Sequence, residues 1–354
     1  MYLSQIIIHW GLFAFIAFCV VAGIQILYYL FIFIKFASYT TPEKVLSQEY
    51  PVSIIICARD EAEVIASNLP GVLVQKYRTT HEVVLVNDNS TDETKYLIEE
   101  FQRIFKQLQP VILKQEAVGI PGKKFPLSVG IKSAKHEVLL LTDADCVPAS
   151  EWWLQKMQDA YTDGIDIVLG YGPYQKKPGL LNKLIRFETF HTALQYFSYA
   201  LSGMPYMGVG RNLSYKRELF LQNKGFSSIN HLPGGDDDLF IGKVATKNNT
   251  AIVTDHEAYT ISQPKTDFAS WQKQKFRHYT TSKYYQPKIK FLLGIYGTTY
   301  LLLIPLFVLS IILYNWWLPC SIYSFWLLLL AFVWNKSMKK LNEQDLWNWF
   351  ILLD

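Results

Sequence analysis

The pattern of hydrophobic and polar positions begins with a long apolar stretch, Ile6 to Phe36. Before Lys35, its only strongly polar side chains are His9 and Gln25. The stretch exceeds the roughly 20 apolar residues that a membrane-spanning helix needs. A cleaved signal peptide would need a preceding basic segment, a shorter apolar run and a small-residue cleavage site, and none is evident. We therefore predict a transmembrane anchor over residues 1–37.

Two further apolar stretches lie near the other end of the chain, at Phe291–Leu313 and Cys320–Val333. The segment Tyr314–Pro319 between them is rich in aromatic residues, which is typical of a membrane–water boundary. We predict a membrane hairpin over residues 291–335. The second stretch is short for a span, so a re-entrant segment is the alternative. Residues 336–354 read as a basic linker and the start of a possible further apolar segment.

Basic residues cluster beside these membrane segments. They are Lys265, Lys273, Lys275, Arg277, Lys283, Lys288 and Lys290 before the hairpin, and Lys336, Lys339 and Lys340 after it. Because cytoplasmic flanks carry the excess of Lys and Arg, we predict an integral membrane protein of a bacterial cytoplasmic membrane, with its middle domain on the cytoplasmic side. The formal net charge of +4 is too small to indicate a nucleic-acid partner. Membrane lipids are the expected surroundings.

The region between the membrane segments, residues 38–290, alternates between short strands and helices. Val52–Cys57 is a β-branched run typical of a parallel strand buried on both faces. A helix over about 61–74 and a strand over 82–86 follow. Ser90 and Glu93 form a capping-box pattern, and helical spacing continues through Leu108.

The alternation continues with a strand over 111–113, a helix over about 126–135 and a strand over 138–141. Strands that alternate with helices indicate βαβ units and a mostly parallel sheet. The fold class predicted from the pattern is therefore α/β.

Acidic residues follow three of these predicted strands. The clusters are Ala58-Arg59-Asp60-Glu61, Asn87-Asp88-Asn89 and Asp143-Ala144-Asp145. Because the carboxyl ends of parallel strands meet at one edge of a sheet, the clusters should lie together. Carboxylates are suitable ligands for Mg²⁺ or Mn²⁺ with bound phosphates. An Asp that caps the next helix is the alternative for Asp143 and Asp145. A P-loop NTPase or a dehydrogenase is disfavoured, because neither glycine-rich fingerprint follows a strand.

The residues from about Pro51 to Tyr285 resemble the family 2 glycosyltransferases, which are inverting enzymes with a GT-A fold that use nucleotide sugars. Six motifs carry the resemblance in order. They are Val52–Glu61, Val86–Asp92 (similar to Val-Asp-Asp-Gly-Ser-Thr-Asp), Gly122–Ser128 (similar to Gly-Lys-x-x-Ala-Leu-Asn), Asp143–Asp145, Gly235–Leu239 (similar to Glu-Asp-x-Asp-Leu) and Gln274–His278. The last resembles the Gln-x-x-Arg-Trp of membrane-bound, often processive members.

The resemblance implies roles for individual residues. Asp88 would contact the nucleotide base, Asp60 or Glu61 and Lys123 would line the donor pocket, and Asp145 would bind the metal, with Asp143 touching ribose and metal. Asp236 would be the catalytic base, with Asp237 as its rival. Gln274, Arg277 and His278 would serve the pyrophosphate and the acceptor.

The chain also departs from the family pattern. Gly235 replaces a Glu, Ser128 replaces an Asn, and His278 replaces the Trp that stacks on the acceptor sugar. The last change weighs against long processive synthesis. For Arg277, binding of lipid head groups is the alternative, and for Lys123 it is a solvated surface position. A helix cap is the alternative for Asp236.

Two segments allow two interpretations each. The apolar stripe of Leu180–Leu201 fits either a membrane-interface helix or a buried core helix. The segment Met207–Asn212 fits either a family loop near the acceptor or a plain turn.

The sequence therefore predicts an enzyme that transfers a sugar from a nucleotide-sugar donor, with a UDP-sugar favoured, to a lipid-linked or saccharide acceptor. The expected cofactor is divalent Mg or Mn. Two alternatives stay open: a metal-dependent nucleotidyltransferase, and a catalytically inactive membrane scaffold of a polysaccharide-export assembly.

Overall fold

The protein was described from a computed structural model that covers residues 2–41, 48–115, 117 and 119–350, with the side chains of residues 2–9 and of His278 excepted. The chain divides into two compact units. One comprises Met1–Tyr39 and Tyr285–Lys340, and the other comprises Thr40–Tyr284 and Leu341–Asp354. We call them the membrane-helix unit and the catalytic unit.

The helices are α1 (Tyr2–Tyr28), α2 (Ile34–Ala37), α3 (Ala62–Leu73), α4 (Thr94–Ile104), α5 (Lys124–Ser133), α6 (Trp153–Gln158), α7 (Leu180–Leu201), α8 (Arg217–Gln222), α9 (Asp238–Val244), α10 (Phe268–Ser282), α11 (Pro287–Leu313) and α12 (Trp317–Lys340). The strands are β1 (Val52–Ala58), β2 (His81–Asn87), β3 (Leu108–Ile112), β4 (Val138–Leu141), β5 (Cys146–Pro148), β6 (Ile167–Leu169), β7 (Leu213–Lys216), β8 (Thr250–Ile252) and β9 (Thr260–Ser262). A π-helical segment, Tyr29–Phe33, joins α1 to α2.

The catalytic unit is built on a mixed sheet of seven strands in the order β3-β2-β1-β4-β7-β6-β8. Strands β1 to β4 are mutually parallel, β7 is antiparallel to β4 and β6, and β6 pairs with β8 in parallel. Strands β5 and β9 form a separate antiparallel pair. The predicted mostly parallel α/β sheet is confirmed.

The central strands are mostly apolar because helices cover both faces of the sheet. Ile54, Val83 and Leu140 are buried in one hydrophobic core, and helix α3 contributes Leu69 to the same core. Helix α5 covers the other face, where Gly130 lets its backbone approach Val86 closely. The sheet therefore holds the carboxyl ends of β1, β2 and β4 in a fixed arrangement.

Two local predictions in this region are wrong. Ser90 and Glu93 do not form a capping box: Ser90 Oγ accepts a hydrogen bond from the Asp60 N–H, and the Asp92 carboxylate accepts one from Thr94 N–H at the start of α4. Leu108 does not continue that helix, which ends at Ile104, but begins β3. Strand β3 can contain Pro110 because it lies at the edge of the sheet, where a missing N–H breaks no ladder.

Helix α7 is a core helix of the catalytic unit. Ile185, Phe190, Leu194 and Phe197 of its apolar stripe are buried against the rest of the unit. This burial favours the core interpretation of the stripe over a membrane-interface helix.

The membrane-helix unit contains three helices that are long and apolar enough to cross a membrane: Trp10–Ala37, Pro287–Leu313 and Trp317–Lys340. The third is a continuous helix of 24 residues, so the short apolar stretch seen in the sequence lies inside a longer helix. Gln25 Nε2 donates to the Thr299 hydroxyl at 2.8 Å and to the Tyr296 carbonyl at 2.9 Å. Lys340 Nζ donates to the Phe36 carbonyl at 2.8 Å.

The segment after α12 belongs to the catalytic unit. Its Glu343 is buried and pairs with Arg186 of α7, and a 3₁₀ helix spans Gln344–Trp349. The Lys183 ammonium lies 4.1 Å from the centre of the Trp349 ring. The further apolar segment that the sequence suggests falls partly on residues 351–354, which lie outside the described residues.

Candidate functional site

The three acidic clusters do follow three neighbouring parallel strands. In the sheet, β1 lies between β2 and β4, so the residues after Ala58, Asn87 and Leu141 leave the sheet at the same edge. The Asp88 N–H donates to the Ala58 carbonyl at 2.8 Å, which ties the first two strand ends together. Asn89 has φ = 55°, a left-handed conformation that Asn tolerates better than most residues. This conformation turns the chain sharply beyond Asp88.

Lys123 joins two of the predicted acidic groups. Its ammonium lies 2.6 Å from Asp143 Oδ1 and 3.4 Å from Asp236 Oδ2. Burial opposes the lysine charge, but Asp143, Asp236 and Asp237 together raise the pKa of Lys123 well above its usual range. In the other direction, burial opposes ionisation of Asp143, yet Lys123 holds the pKa of that carboxyl below its ordinary value. Lys123 is therefore an internal ion-pair partner of the carboxylates.

Cys57, near the end of β1, is affected by several charges of the site. Burial raises the pKa of its thiol, and the charges of Asp143, Asp236 and Asp88 raise that pKa further, while Lys123 lowers it. Residues 88, 143 and 236 come from distant parts of the sequence. The charges of all three therefore act on one thiol.

Glu61 and Asp145 are two further carboxylates of this site whose ionisation is disfavoured. Burial raises the pKa of Glu61 to about 7, and the charges of Asp145 and Asp143 contribute to the rise. Burial and Asp143 likewise raise the pKa of Asp145, while Arg211 lowers it. When neighbouring carboxylates raise one another's pKa, a nearby cation stabilises their ionised forms.

Asp60, predicted as an alternative to Glu61 in the donor pocket, has a different environment. Its carboxylate accepts hydrogen bonds from the Thr91 N–H at 2.7 Å and from the Thr91 hydroxyl at 3.1 Å. Its own φ is 53°. Asp60 therefore fastens the loop after β2 to the loop after β1.

The three consecutive aspartates at 236–238 have separate environments. Asp237 is the N-cap of α9, with its side chain accepting from the Asp238 N–H, and it also accepts from the Gly210 N–H at 2.9 Å. Asp238 accepts from the Thr281 hydroxyl of α10. Asp236 is only 8% exposed and faces Lys123. The capping role thus falls to Asp237, which leaves Asp236 without that function.

A buried lysine holds the loop that leads to Asp236. Lys124 Nζ donates to the carbonyls of Leu232, Gly234 and Pro121, and its side chain is 1% exposed. Sequence reasoning passed over this lysine because its neighbour Lys123 matched the family motif. The carbonyls that it binds lie up to 110 residues away, so no local pattern signals the contact.

The motif at 274–278 lies on α10. Gln274 Nε2 donates to the Tyr174 hydroxyl at 3.2 Å. Arg277 is exposed, and its charge helps to lower the pKa of Asp143. The His278 side chain lies outside the described residues. Arg277 therefore connects α10 electrostatically to Asp143, and Gln274 connects it to Tyr174 by a hydrogen bond.

Arg211 is a site residue that sequence reasoning did not single out. It lies in the turn before β7, next to Gly210, and its charge lowers the pKa of both Asp143 and Asp145. The only signal in the sequence was its place in the Met207–Asn212 segment. Asn212 fixes that turn by donating to the carbonyls of Tyr171 and Ala258 and accepting from Trp153.

The predicted donor set for a metal is Asp143 and Asp145. They do not cap a helix, because the short strand β5 follows them and α6 begins only at Trp153. No group of three or more His, Cys, Asp or Glu side chains that could hold a metal occurs within the described ranges. Two carboxylates fit an ion such as Mg²⁺ that keeps several waters and shares substrate phosphate oxygens.

Comparison with known proteins agrees with this geometry. The family model "Glycosyl transferase family 2" matches residues 53–220. This part of the chain is similar to that family. The predicted enzyme class, a glycosyltransferase, and the predicted GT-A fold class are confirmed.

Individual relatives share parts of the chain. A glycosyltransferase of Haloferax volcanii, AglE, is 25% identical over 64% of this chain and 71% of its own length. A beta-monoglucosyldiacylglycerol synthase of a Nostoc species is 30% identical over 29% of this chain, and the probable glycosyltransferase YdaM of Bacillus subtilis is 33% identical over 27%. The matched parts span only 22% and 23% of those two relatives.

The similarity to a solved structure extends over nearly the whole chain. The mannosyltransferase PcManGT of Pyrobaculum calidifontis, determined with GDP-Man and Mn²⁺, aligns over 97% of this chain and 98% of its own. The TM-score is 0.60 and the identity is 17%. At this identity the likeness establishes the GT-A fold, including the flanking apolar helices.

Proposed function

We propose that this protein transfers a sugar from a nucleotide-sugar donor to a lipid-linked or saccharide acceptor at the cytoplasmic face of a membrane, with inversion at the anomeric carbon. The observation that carries the proposal is the Lys123 ammonium, which lies within 3.4 Å of both Asp143 and Asp236. The candidate metal- and ribose-binding group and the candidate base therefore lie close together, joined by one ammonium group. Transfer of a sugar requires this adjacency of donor and acceptor groups.

Asp236 is the proposed general base. As the acceptor hydroxyl attacks the anomeric carbon, its proton passes to the Asp236 carboxylate, a new glycosidic C–O bond forms, and the bond to the nucleoside diphosphate breaks. Attack opposite the leaving group inverts the anomeric carbon. A positioned carboxylate contributes roughly 10²–10⁴-fold to the rate of such a step. Asp237 is less suited to this role, because it already accepts N–H groups as the cap of α9.

The donor would bind along the carboxyl edge of β1, β2 and β4. Asp88 would accept from the base, and Glu61 and Asp143 would face the ribose and phosphates. A divalent Mg or Mn ion held by Asp145 and Asp143 would supply positive charge to the leaving diphosphate when bound. Mn²⁺ and GDP-Man in PcManGT support a divalent ion and a nucleotide-sugar donor here.

The three apolar helices support a membrane location for the reaction. Three crossings would return the chain to the side on which it leaves the first helix. Thr40–Tyr284 and Leu341–Asp354 belong to one compact unit, which is compatible with that count. The basic residues near α10 and at the end of α12 favour the cytoplasmic side. The name of the Nostoc relative, a diacylglycerol glycolipid synthase, supports a lipid acceptor.

The test uses the full-length protein in detergent with a panel of UDP-, GDP- and TDP-sugars and Mn²⁺ or Mg²⁺, scored for release of nucleoside diphosphate. Asp236→Asn should lower turnover by roughly 10²–10⁴-fold and leave donor affinity within about threefold. Asp145→Asn should abolish both donor binding and turnover. Asp163→Asn, an exposed aspartate before β6, is the matched control and should retain both.

Each alternative gives a different outcome. Near-normal turnover of Asp236→Asn would show that another group, with Asp237 the first candidate, is the base. Release of inorganic pyrophosphate from a nucleoside triphosphate would favour a nucleotidyltransferase. Tight binding of a nucleoside diphosphate with turnover of no sugar donor would favour an inactive scaffold.

A further inference from the structure

We propose that Arg211 binds the diphosphate of the nucleotide donor, and that Tyr174 and Gln274 position it for this purpose. The inference rests on the proposed function and adds to it a cationic residue that the motifs do not identify. Two observations support it. The Arg211 side chain is held in a fixed orientation, and most of the N–H donors of its guanidinium have no acceptor among the described residues.

The Arg211 side chain is held between two neighbours. Its guanidinium carbon lies 4.3 Å from the centre of the Tyr174 ring, a distance typical of stacking between a cation and an aromatic face. The Gly172 backbone packs on the Arg211 side chain so closely that an added Cβ would lie 3.3 Å from Arg211 Cβ. Arg211 Nη1 also donates to Ser262 Oγ at 3.2 Å. The guanidinium is therefore pre-oriented.

The guanidinium also retains most of its hydrogen-bonding capacity. An arginine carries five N–H donors. Among the described residues, the Ser262 hydroxyl is the hydrogen-bond acceptor that its side chain contacts, and no carboxylate of these residues lies within 4.0 Å of it. The remaining donors form a planar fork that suits two phosphate oxygens.

Arg211 lies beside the chain that carries the two predicted metal ligands. Ser262, which accepts from Arg211, pairs with Cys146 across the β5–β9 ladder, and Cys146 Sγ lies 3.0 Å from Ser262 Oγ. Cys146 directly follows Asp145 in the chain. A diphosphate bound beside Asp143 and Asp145 would therefore lie within reach of Arg211.

The other cations near the site are less suited to this role. Lys123 is already paired with Asp143 and Asp236. Arg277 lies on α10 and is exposed to solvent. Arg211 alone of these three combines a fixed side chain with uncommitted donors.

Gln274 acts on Arg211 through Tyr174. Its amide donates to the Tyr174 hydroxyl at 3.2 Å, while the ring of Tyr174 stacks on the guanidinium. The backbone of Tyr174 forms a bridge with Ser262, the residue that accepts from Arg211. Tyr174 and Gln274 are therefore positioning residues, and they link α10 to the diphosphate site.

The experiment measures binding rather than turnover. Calorimetry on the full-length detergent-solubilised protein with Mn²⁺ would compare UDP with UMP and GDP with GMP. We expect Arg211→Gln to weaken nucleoside diphosphate binding by roughly 10- to 100-fold and monophosphate binding by less than about threefold, because a charged bidentate contact to the second phosphate is lost. Arg211→Lys should recover only part of the loss, since it lacks the fork.

Controls separate this role from a structural one. Arg103→Gln removes an exposed arginine of α4 and should leave all affinities unchanged. Tyr174→Phe keeps the stacking but removes the contact with Gln274, so it should lose part of the affinity, whereas Tyr174→Leu should approach the loss seen for Arg211→Gln. Thermal melting of every variant checks the fold.

Two results would contradict the inference, and only the second would also contradict the proposed function. If Arg211→Gln, folded as judged by melting, binds nucleoside diphosphates within twofold of the unmodified protein, the inference is wrong and the proposed function stands. If the unmodified protein binds neither UDP nor GDP, the proposed function fails and the inference with it.

Discussion

The segment after the last apolar helix should be essential for the stability of the catalytic unit, because it closes a buried ion pair. Arg186 Nε donates to Glu343 Oε2 at 3.0 Å, and both side chains are 2% exposed. Glu343 also accepts from the Tyr171 hydroxyl at 3.3 Å. On the solvent side, Arg186 bonds Asp345, whose side chain is 46% exposed. One arginine thus has a buried partner and an exposed partner for comparison.

The expected magnitudes differ because of this difference in burial. Arg186→Met would leave the Glu343 carboxylate buried without its counter-ion, which typically costs about 3–5 kcal/mol. Asp345→Asn removes an exposed charge and should cost about 0–1 kcal/mol. Replacing both buried partners, Arg186→Met with Glu343→Leu, removes the uncompensated charge and should recover most of the loss.

The assay is thermal unfolding of the full-length protein in detergent, followed by tryptophan fluorescence. For a unit of this size, 1 kcal/mol corresponds to roughly 2–4 °C in the midpoint, so Arg186→Met should lower it by about 6–20 °C. Asp345→Asn should lower it by less than about 4 °C. A shift for Arg186→Met as small as that for Asp345→Asn, or a double variant no more stable than Arg186→Met, would refute the argument.

Two further variants test the loop that leads to Asp236 and Asp237. Burial, together with Asp236 and Asp238, raises the pKa of Asp237 to about 7. Between about pH 4 and 7, the Asp237 carboxyl therefore keeps its proton in the folded protein but has lost it in the unfolded chain. The contribution of Asp237 to stability falls as pH rises over this range and is constant above it. The melting temperature of Asp237→Asn relative to the unmodified protein should therefore increase from pH 5 to pH 8, and a constant difference would contradict the shift. Lys124→Met should lower kcat by roughly tenfold or more with little change in donor affinity, because the loop before Asp236 loses its anchor; equal losses in kcat and in donor affinity would argue instead for general unfolding.

The sheet and its acidic edge could be predicted from the sequence because both depend on local patterns. Strand β4 ends where the apolar run Val138–Leu141 ends, and Asp143 follows at once. Parallel strands then bring such ends together without further information. Asp88 and Asp145 were predicted in this way.

The two wrong predictions, for Ser90 and Leu108, have the same cause, which is a contact between residues that are distant in the sequence. The Ser90 hydroxyl bonds the backbone of Asp60, 30 residues away, instead of capping α4. Leu108 matches the helical spacing of the preceding helix, but pairing with β2 places it in an edge strand. In both cases a tertiary contact overrides a local preference of similar strength.

The same distinction explains why the pattern of strands predicts positions for several carboxylates of the site but not for its cations. Glu61, Asp88, Asp143 and Asp145 follow strands, whose positions the sheet fixes. The cations come from loops: Lys123 precedes α5 and Arg211 lies in a turn, and each is placed by partners far away in the chain, Asp236 and Tyr174. A negatively charged donor that approaches the acidic edge would be repelled unless such cations lie opposite it. The residues least visible in the sequence are therefore those on which binding of a diphosphate should depend most.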